Sequence, residues 1–348
     1  MRRRHAAAAV LVWCASASAA QRASPARASR GSATGKAYGR RGDVLAAARS
    51  IALEHALDTR WVEAALAQAR YVPAVAQLVM PGATPSARNW RAYRARVVEP
   101  RRVEAGVRWW SDNEAWLALA EQRYGVPAAI VVGIVGVETY YGRITGAFRV
   151  LDALATLSFD FPGGRSDRSG FFRAELGQFM RLASREGWDP AAVLGSYAGA
   201  MGLPQFMPSS VLNFAIDFDD DGRVDLTNSA ADVIGSVANF LAEHGWQPEL
   251  PTHYAVEPPA DTTERALMLV QDIVPSLSAA QMVERGAQLD EAGQQHQGPL
   301  ALVELRNADA APSYVAGTQN FYVLTRYNAS STYALAVIEL GGAIAAAR

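Results

Sequence analysis

The stretch Ile130-Val-Val-Gly-Ile-Val-Gly-Val137 runs without a break into Glu138-Thr-Tyr-Tyr-Gly142. A single carboxylate therefore closes an otherwise apolar segment. Tyr124-Gly125-Val126-Pro127 punctuates the chain just before it, with Pro127 suited to a first helical turn, and Gly142 is placed to end the helix. A carboxyl group among apolar neighbours loses the solvation of its charged form, so its pKa rises and it can keep a proton near neutral pH for use as a general acid. The alternative is an ordinary helix end whose Glu138 turns to solvent.

Outward from this segment the pattern stays helical. From Asp43 to about Arg123 apolar residues recur every three or four positions, as in Val44-Leu45-Ala48 and Trp61-Val62-Ala65-Leu66. Helical spacing continues through Leu151–Leu157, Phe171–Arg185, Ala191–Leu194 and Ala231–His244, between loops rich in Gly, Pro and Asp. After Trp246-Gln-Pro248 the character changes, and His253–Val256, Leu300–Leu305 and Phe321–Arg326 are expected as short strands. Tyr333–Ile338 returns to a helical pattern. The expectation is a mainly α fold of the α+β kind: a helical domain over 43–125, a core carrying Glu138 over 126–247, a small β-rich domain over 248–325, and a return to the core over 326–348.

The chain has 348 residues, half of them apolar, enough for a sizeable core. A formal charge of -1, with arginines dispersed, gives no basic field for nucleic acid. Residues 1–20 combine Met1-Arg-Arg-Arg-His5, a short apolar run and small residues near Ala20, the pattern of a secretory signal peptide, and 21–42 has the composition of a flexible linker. The apolar run is too short to span a bilayer, so no transmembrane segment is expected. The only cysteine, Cys14, lies inside that signal. Trp13 before it is too bulky for lipoprotein processing, so an anchor at Cys14 is not expected.

Two further segments carry chemistry. Gly195-Ser-Tyr-Ala-Gly-Ala-Met-Gly-Leu-Pro-Gln-Phe-Met-Pro-Ser-Ser210 is rich in small residues and holds Ser196, Tyr197 and Gln205. It reads either as a tight connection between helices or as a loop that a polymer approaches closely. Asp217-Phe-Asp-Asp-Asp-Gly-Arg-Val-Asp225 sets oxygen ligands at Asp217, Asp219 and Asp221, a glycine next and the carbonyl of Arg223 after it, as in an EF-hand. Loop position twelve is Asn228 instead of glutamate, so Asp232 is the acid expected to close the shell in a longer loop. Three crowded aspartates repel one another without a cation, and irregular oxygen coordination suits Ca2+ better than Mg2+. The site is expected to be structural.

In order, Gly136-Val-Glu138-Thr-Tyr-Tyr-Gly142, Leu151-Asp-Ala-Leu-Ala-Thr-Leu-Ser158, Ser196-Tyr-Ala-Gly-Ala-Met-Gly202, Gln205-Phe-Met-Pro-Ser-Ser210 and Arg326-Tyr-Asn328 resemble the lytic murein transglycosylase B family from about residue 43 onward. The resemblance implies a lysozyme-like core with a helical and a small β domain. It also implies cleavage of the β-1,4 bond between N-acetylmuramic acid and N-acetylglucosamine in peptidoglycan, without water, leaving a 1,6-anhydromuramic end. Glu138 would be the only catalytic carboxylate. Ser196 and Gln205 would bond the sugar, Asn328 would assist, Tyr93, Tyr327 and Tyr333 would line the groove, and Tyr197 belongs to the same aromatic set. Of Arg165 and Arg168, in a loop longer than the family's, Arg168 is expected to meet the stem peptide or sugar. Phe240, after Asn239, stands where members often carry Tyr, which removes a hydroxyl.

The signal peptide places the mature protein in the periplasm, and the expectation is a monomer acting on glycan strands without an organic cofactor. The rivals are a hydrolytic muramidase using Asp152 or Asp160 as a second carboxylate, a calcium-stabilised binding protein that does not cut, and a scaffold that recruits wall-synthesis enzymes.

Overall fold

The computed structural model describes residues 35–39, 41–80, 89–164 and 166–348; the expected signal peptide, most of the linker and Arg165 lie outside them. The chain runs α1 (Gly42–Glu54), α2 (Thr59–Gln68), α3 (Pro73–Leu78), α4 (Trp90–Val97), α5 (Pro100–Asp112), α6 (Glu114–Tyr124) and α7 (Ala128–Thr139). It continues with β1 (Phe148–Arg149), α8 (Val150–Phe159), α9 (Ser169–Glu186), β2 (Leu194–Gly195), α10 (Pro208–Phe214) and α11 (Ala230–Glu243). The last part holds β3 (His253–Glu257), α12 (Thr262–Met268), α13 (Ala279–Glu284), β4 (Gln288–Leu289), α14 (Glu291–Gln295), β5 (Ala301–Asn307), β6 (Ala310–Gly317), α15 (Gln319–Tyr327) and α16 (Ser331–Ala346). The mainly α fold expected from the sequence is the one observed. Among the described residues no single helix is long and apolar enough to cross a membrane.

The apolar helix α7 is at the centre. Ile130, Val131, Val132, Ile134 and Val135 are all buried, because neighbours cover the helix on every side: α16, α5, α6 and α11 all pack on it. The closest neighbour is α16, and two glycines set the approach. A Cβ on Gly133 would lie 2.3 Å from the carbonyl oxygen of Val337, and a Cβ on Gly341 would lie 2.1 Å from that of Ala129. Only glycine lets the two backbones come this near. The last helix of the chain is thereby pressed against the helix that carries Glu138.

Polar groups of α8 attach the N-terminal helices to this centre. Asp152 accepts the Arg70 N–H at 2.9 Å and pairs with Arg149 at 3.4 Å, and Thr156 accepts the Val72 N–H at 3.0 Å. Asp160 accepts from Tyr38 Oη at 2.7 Å and pairs with Arg41 at 3.0 Å.

The antiparallel sheet has strand order β4-β3-β6-β5, and a two-residue β1–β2 pair stands apart from it. Along β5 the pleat divides the side chains: Leu302 joins a small core with Met268, Met282, Leu289 and Ala316, whereas Ala301, Val303 and Leu305 face the main core. β5 thus couples the sheet to the helical body, with β6 packing on α15 beside it.

Two local expectations fail. Phe321–Arg326 belongs to helix α15 instead of a strand: Thr318 caps it by accepting the Asn320 N–H at 3.1 Å, and Phe321 and Leu324 recur at helical spacing into the core. The run Phe-Tyr-Val has high strand preference, and burial on one helix face overrides it. Ala191–Leu194 is a turn leading into β2, because Asp189 accepts the Ala191 N–H at 2.9 Å and starts a turn where a helix was expected.

Candidate active site

Glu138 occupies the last turn of α7. The helix then breaks sharply, with Tyr140 (φ 52°), Tyr141 (φ 57°) and Gly142 (φ 84°) all left-handed. Two successive tyrosines in this region are strained and persist only because their surroundings hold them. Thr139 Oγ1 donates to the Leu203 carbonyl at 3.0 Å, and Tyr140 Oη donates to Glu99 Oε1 at 3.1 Å. The end of α7 is tied in this way to the 195–210 loop on one side and to the start of α5 on the other.

Glu138 keeps partial exposure, yet its carboxyl is surrounded by protein. Burial pushes its pKa up to about 7, and the hydrogen bond donated by Tyr333 Oη at 2.7 Å to Oε1 works against the rise. Desolvation is the larger effect, so the protonated form persists well above the usual carboxylate range. Tyr333 is only 2% exposed, so it acts on Glu138 through its hydroxyl while its ring stacks on that of Tyr327, centroids 6.3 Å apart. Tyr327 donates to the Pro204 carbonyl at 2.6 Å and lies 4.9 Å from the Phe240 ring. Phe240 is itself buried against Phe206, Phe214 and His244. Tyr93 lies within electrostatic range of Tyr333.

The 195–210 loop is held by its own polar groups. Ser196 Oγ accepts the N–H groups of Ala198 at 3.3 Å and Ala200 at 3.0 Å, both as acceptor, which leaves its proton to donate. Gln205, at φ 50°, donates through Nε2 to the carbonyls of Gly202 at 2.8 Å and Thr145 at 3.1 Å, leaving its amide oxygen as the acceptor. Tyr197 is half-buried and Asn328 is buried next to Tyr327 in sequence. Arg168 starts α9 with its guanidinium 4.7 Å from the Phe171 ring and 5.5 Å from Phe172.

The acidic loop brings single oxygens of Asp217, Asp219 and Asp221 within 4.8 Å of one another. Asp217 also accepts the N–H groups of Asp221 at 3.1 Å and Gly222 at 2.8 Å, with Gly222 at φ 93°, which curls the loop around the cluster. Such a set of converging oxygens fits Ca2+. Asp232 is buried outside that cluster and accepts the N–H groups of Phe218 at 2.8 Å and Asp225 at 2.7 Å, one on each oxygen. It braces the two ends of the loop.

Sequence reading missed a group around Tyr140. The guanidinium carbons of Arg102 and Arg143 lie 4.7 and 4.8 Å from its ring centroid. Tyr141 Oη is wedged where a Cβ on Gly106 or Gly136 would approach it to 2.5 or 2.3 Å. The signal for this group is the Tyr-Tyr pair itself with Arg143 close after it, but Arg102 and Gly106 come from α5, earlier in the chain.

A mainly helical, lysozyme-like fold with Glu138 ending a buried central helix is the fold of the lytic transglycosylases. The chain belongs to the transglycosylase SLT domain family, whose model matches residues 41–342. It is 38% identical over 309 residues to membrane-bound lytic murein transglycosylase B of Escherichia coli (strain K12), covering 85% of this chain and 80% of that protein. The crystal structure of the catenated lytic transglycosylase SltB1 of Pseudomonas aeruginosa superposes with a TM-score of 0.79 at 36% identity, over 88% of this chain and 98% of that one. Lytic transglycosylase Slt35 of Escherichia coli, solved in complex with calcium, gives 0.76 at 36% identity, over 88% and 94%.

Proposed function

We propose that the protein cleaves the β-1,4 bond between N-acetylmuramic acid and N-acetylglucosamine in peptidoglycan by an intramolecular transglycosylation that uses Glu138 first as acid and then as base. The observation that carries this reading is the placement of Glu138 at the end of the buried apolar helix α7, with Tyr333 Oη on its Oε1 at 2.7 Å and the carboxyl enclosed by protein, a setting that favours the protonated form. In the first step the Glu138 carboxyl gives its proton to the leaving oxygen as the C1–O bond breaks, and positive charge builds at C1. The substrate's 2-acetamido group stabilises that charge. Glu138, now a carboxylate, takes the proton from the C6 hydroxyl as O6 bonds to C1, which forms the 1,6-anhydro ring and restores the acid. The hydrogen bond from Tyr333 holds Oε1, so Oε2 is the oxygen set to carry the proton.

The placement of the other acids supports a single-carboxylate mechanism over hydrolysis. Asp152, Asp160 and Glu175 are engaged by Arg70 and Arg149, by Tyr38 and Arg41, and by Ser209 respectively. A second carboxylate that places water needs freedom to accept a proton beside the sugar. Ser196 through its hydroxyl proton and Gln205 through its amide oxygen would bond the sugar, Asn328 and Tyr93 would assist, and Tyr327 would form the wall. Ca2+ held by Asp217, Asp219, Asp221 and the Arg223 carbonyl would neutralise the loop's charge and stiffen it. Residues 43–125 and the sheet-bearing part over 248–325 are assigned as accessory domains, residues 326–348 as part of the core, and the periplasm as the site of action.

The test is mass spectrometry of products from purified peptidoglycan. Wild type is expected to release anhydromuramyl products and Glu138→Gln none. Reducing-end muramic acid would mean a hydrolase, and no soluble product from wild type would mean a binding protein.

A further inference from the structure

The geometry points to a carboxylate-binding subsite made by Arg102, with Arg143 beside it, that recognises the anionic stem peptide on the strand being cut. This rests on the peptidoglycan reading above. Both guanidinium groups lie over the ring of Tyr140, two residues after Glu138. Neither makes an ion pair among the described residues, and Arg102 Nε is buried without a hydrogen-bond partner. The one carboxylate close by, Glu99, is already used: one oxygen accepts from Tyr140 Oη at 3.1 Å and the other from the Arg101 N–H at 3.0 Å. Two cations thus face one engaged carboxylate.

An arginine that only packs on a ring normally finds an acceptor for its buried N–H, since leaving it unmet is costly. Arg102 is half-buried and Arg143 exposed, so a ligand can reach both. Arg102 is on α5, which packs against α7, the helix that carries Glu138. The glycan backbone is neutral, and the negative charge of the polymer is carried by carboxylates of the muramic acid substituent. A planar fork matched to carboxylate, in a partly desolvated place, suits that group.

The test uses the full-length Glu138→Gln protein, which binds without cutting, with and without Arg102→Gln. Dissociation constants are measured for three kinds of strand: intact, stripped of peptide so that the lactyl carboxylate is free, and stripped with that carboxylate converted to a neutral amide. Arg102→Gln is expected to weaken binding of intact strands by about ten- to a hundredfold relative to the neutral strands, and Arg102→Lys to restore part of it. A loss equally large on stripped strands bearing the lactyl carboxylate assigns the anion to that group instead and overturns the stem-peptide assignment. Equal loss on all three, or none, overturns the subsite altogether. Failure of the wild type to form anhydro products would sink the reaction instead, and is read from a different experiment.

Discussion

Replacing Glu138 with Gln tests the desolvated acid without measuring catalysis. In the folded protein the Glu138 pKa is raised from 4.5 to about 7. Below about pH 4.5 the group is protonated whether the chain is folded or not, and it contributes no pH dependence. Between about 4.5 and 7 the folded protein holds a proton that the unfolded chain has released, so stability falls as pH rises across that window and stays at the lower level above it. A shift from 4.5 to about 7 is some 2.5 units. At about 1.36 kcal/mol per unit this sets an upper bound near 3 kcal/mol, and the residual exposure of Glu138 reduces it to roughly 2 kcal/mol. Gln keeps an oxygen to accept from Tyr333 and cannot ionise. The difference in unfolding free energy between Glu138→Gln and wild type should therefore grow by about 2 kcal/mol in favour of the variant from pH 4 to pH 8. For a chain of this length that is a relative gain of about 3 °C in Tm. The assay is denaturant or calorimetric unfolding of both proteins at matched pH, in which the other titrating groups cancel. A difference that stays flat across the range would refute a raised pKa at Glu138, and with it the basis for its use as an acid near neutrality.

Tyr333→Phe removes the bond that holds the Glu138 pKa down, so the alkaline limb of kcat/KM should move to higher pH while the maximal rate falls roughly tenfold; a pH–rate profile with an unmoved limb would show that the hydroxyl does not act on the acid. Removal of Ca2+ with a chelator should lower Tm by about 4 °C, corresponding to about 2.7 kcal/mol for a site held at a hundred times its Kd, with turnover at low temperature little changed. The reverse pattern, with activity lost and Tm unmoved, would reject a structural role for Asp217, Asp219 and Asp221.

Local sequence determined those features whose physics is local. Apolar residues at helical spacing make helices wherever they fall, so α7, α9, α11 and α16 were legible, as was Glu138 as the one ionisable group at the end of an apolar run. The convergence of Asp217, Asp219 and Asp221 was legible because their alternation and the following glycine are built into nine consecutive residues. Where a short segment's preference conflicted with burial, local reading failed: Phe321–Arg326 looks like a strand until Thr318 caps it and one face is buried as α15.

Contacts between distant segments were decided only by tertiary structure. Nothing near Tyr333 in the chain indicates that it will bond Glu138, 195 residues away; the glycines at 133 and 341 bring α7 and α16 close enough for that. The same packing determines the acid's chemistry, since a carboxyl becomes a proton donor near pH 7 only when neighbours from several elements strip it of water. Asp152 and Asp160 carry the same carboxyl group in sequence, but Arg70, Arg149, Tyr38 and Arg41 hold them in structural pairs. Residue type and spacing define which side chains are present, whereas solvation and long-range partners, which follow from packing, set what each one does.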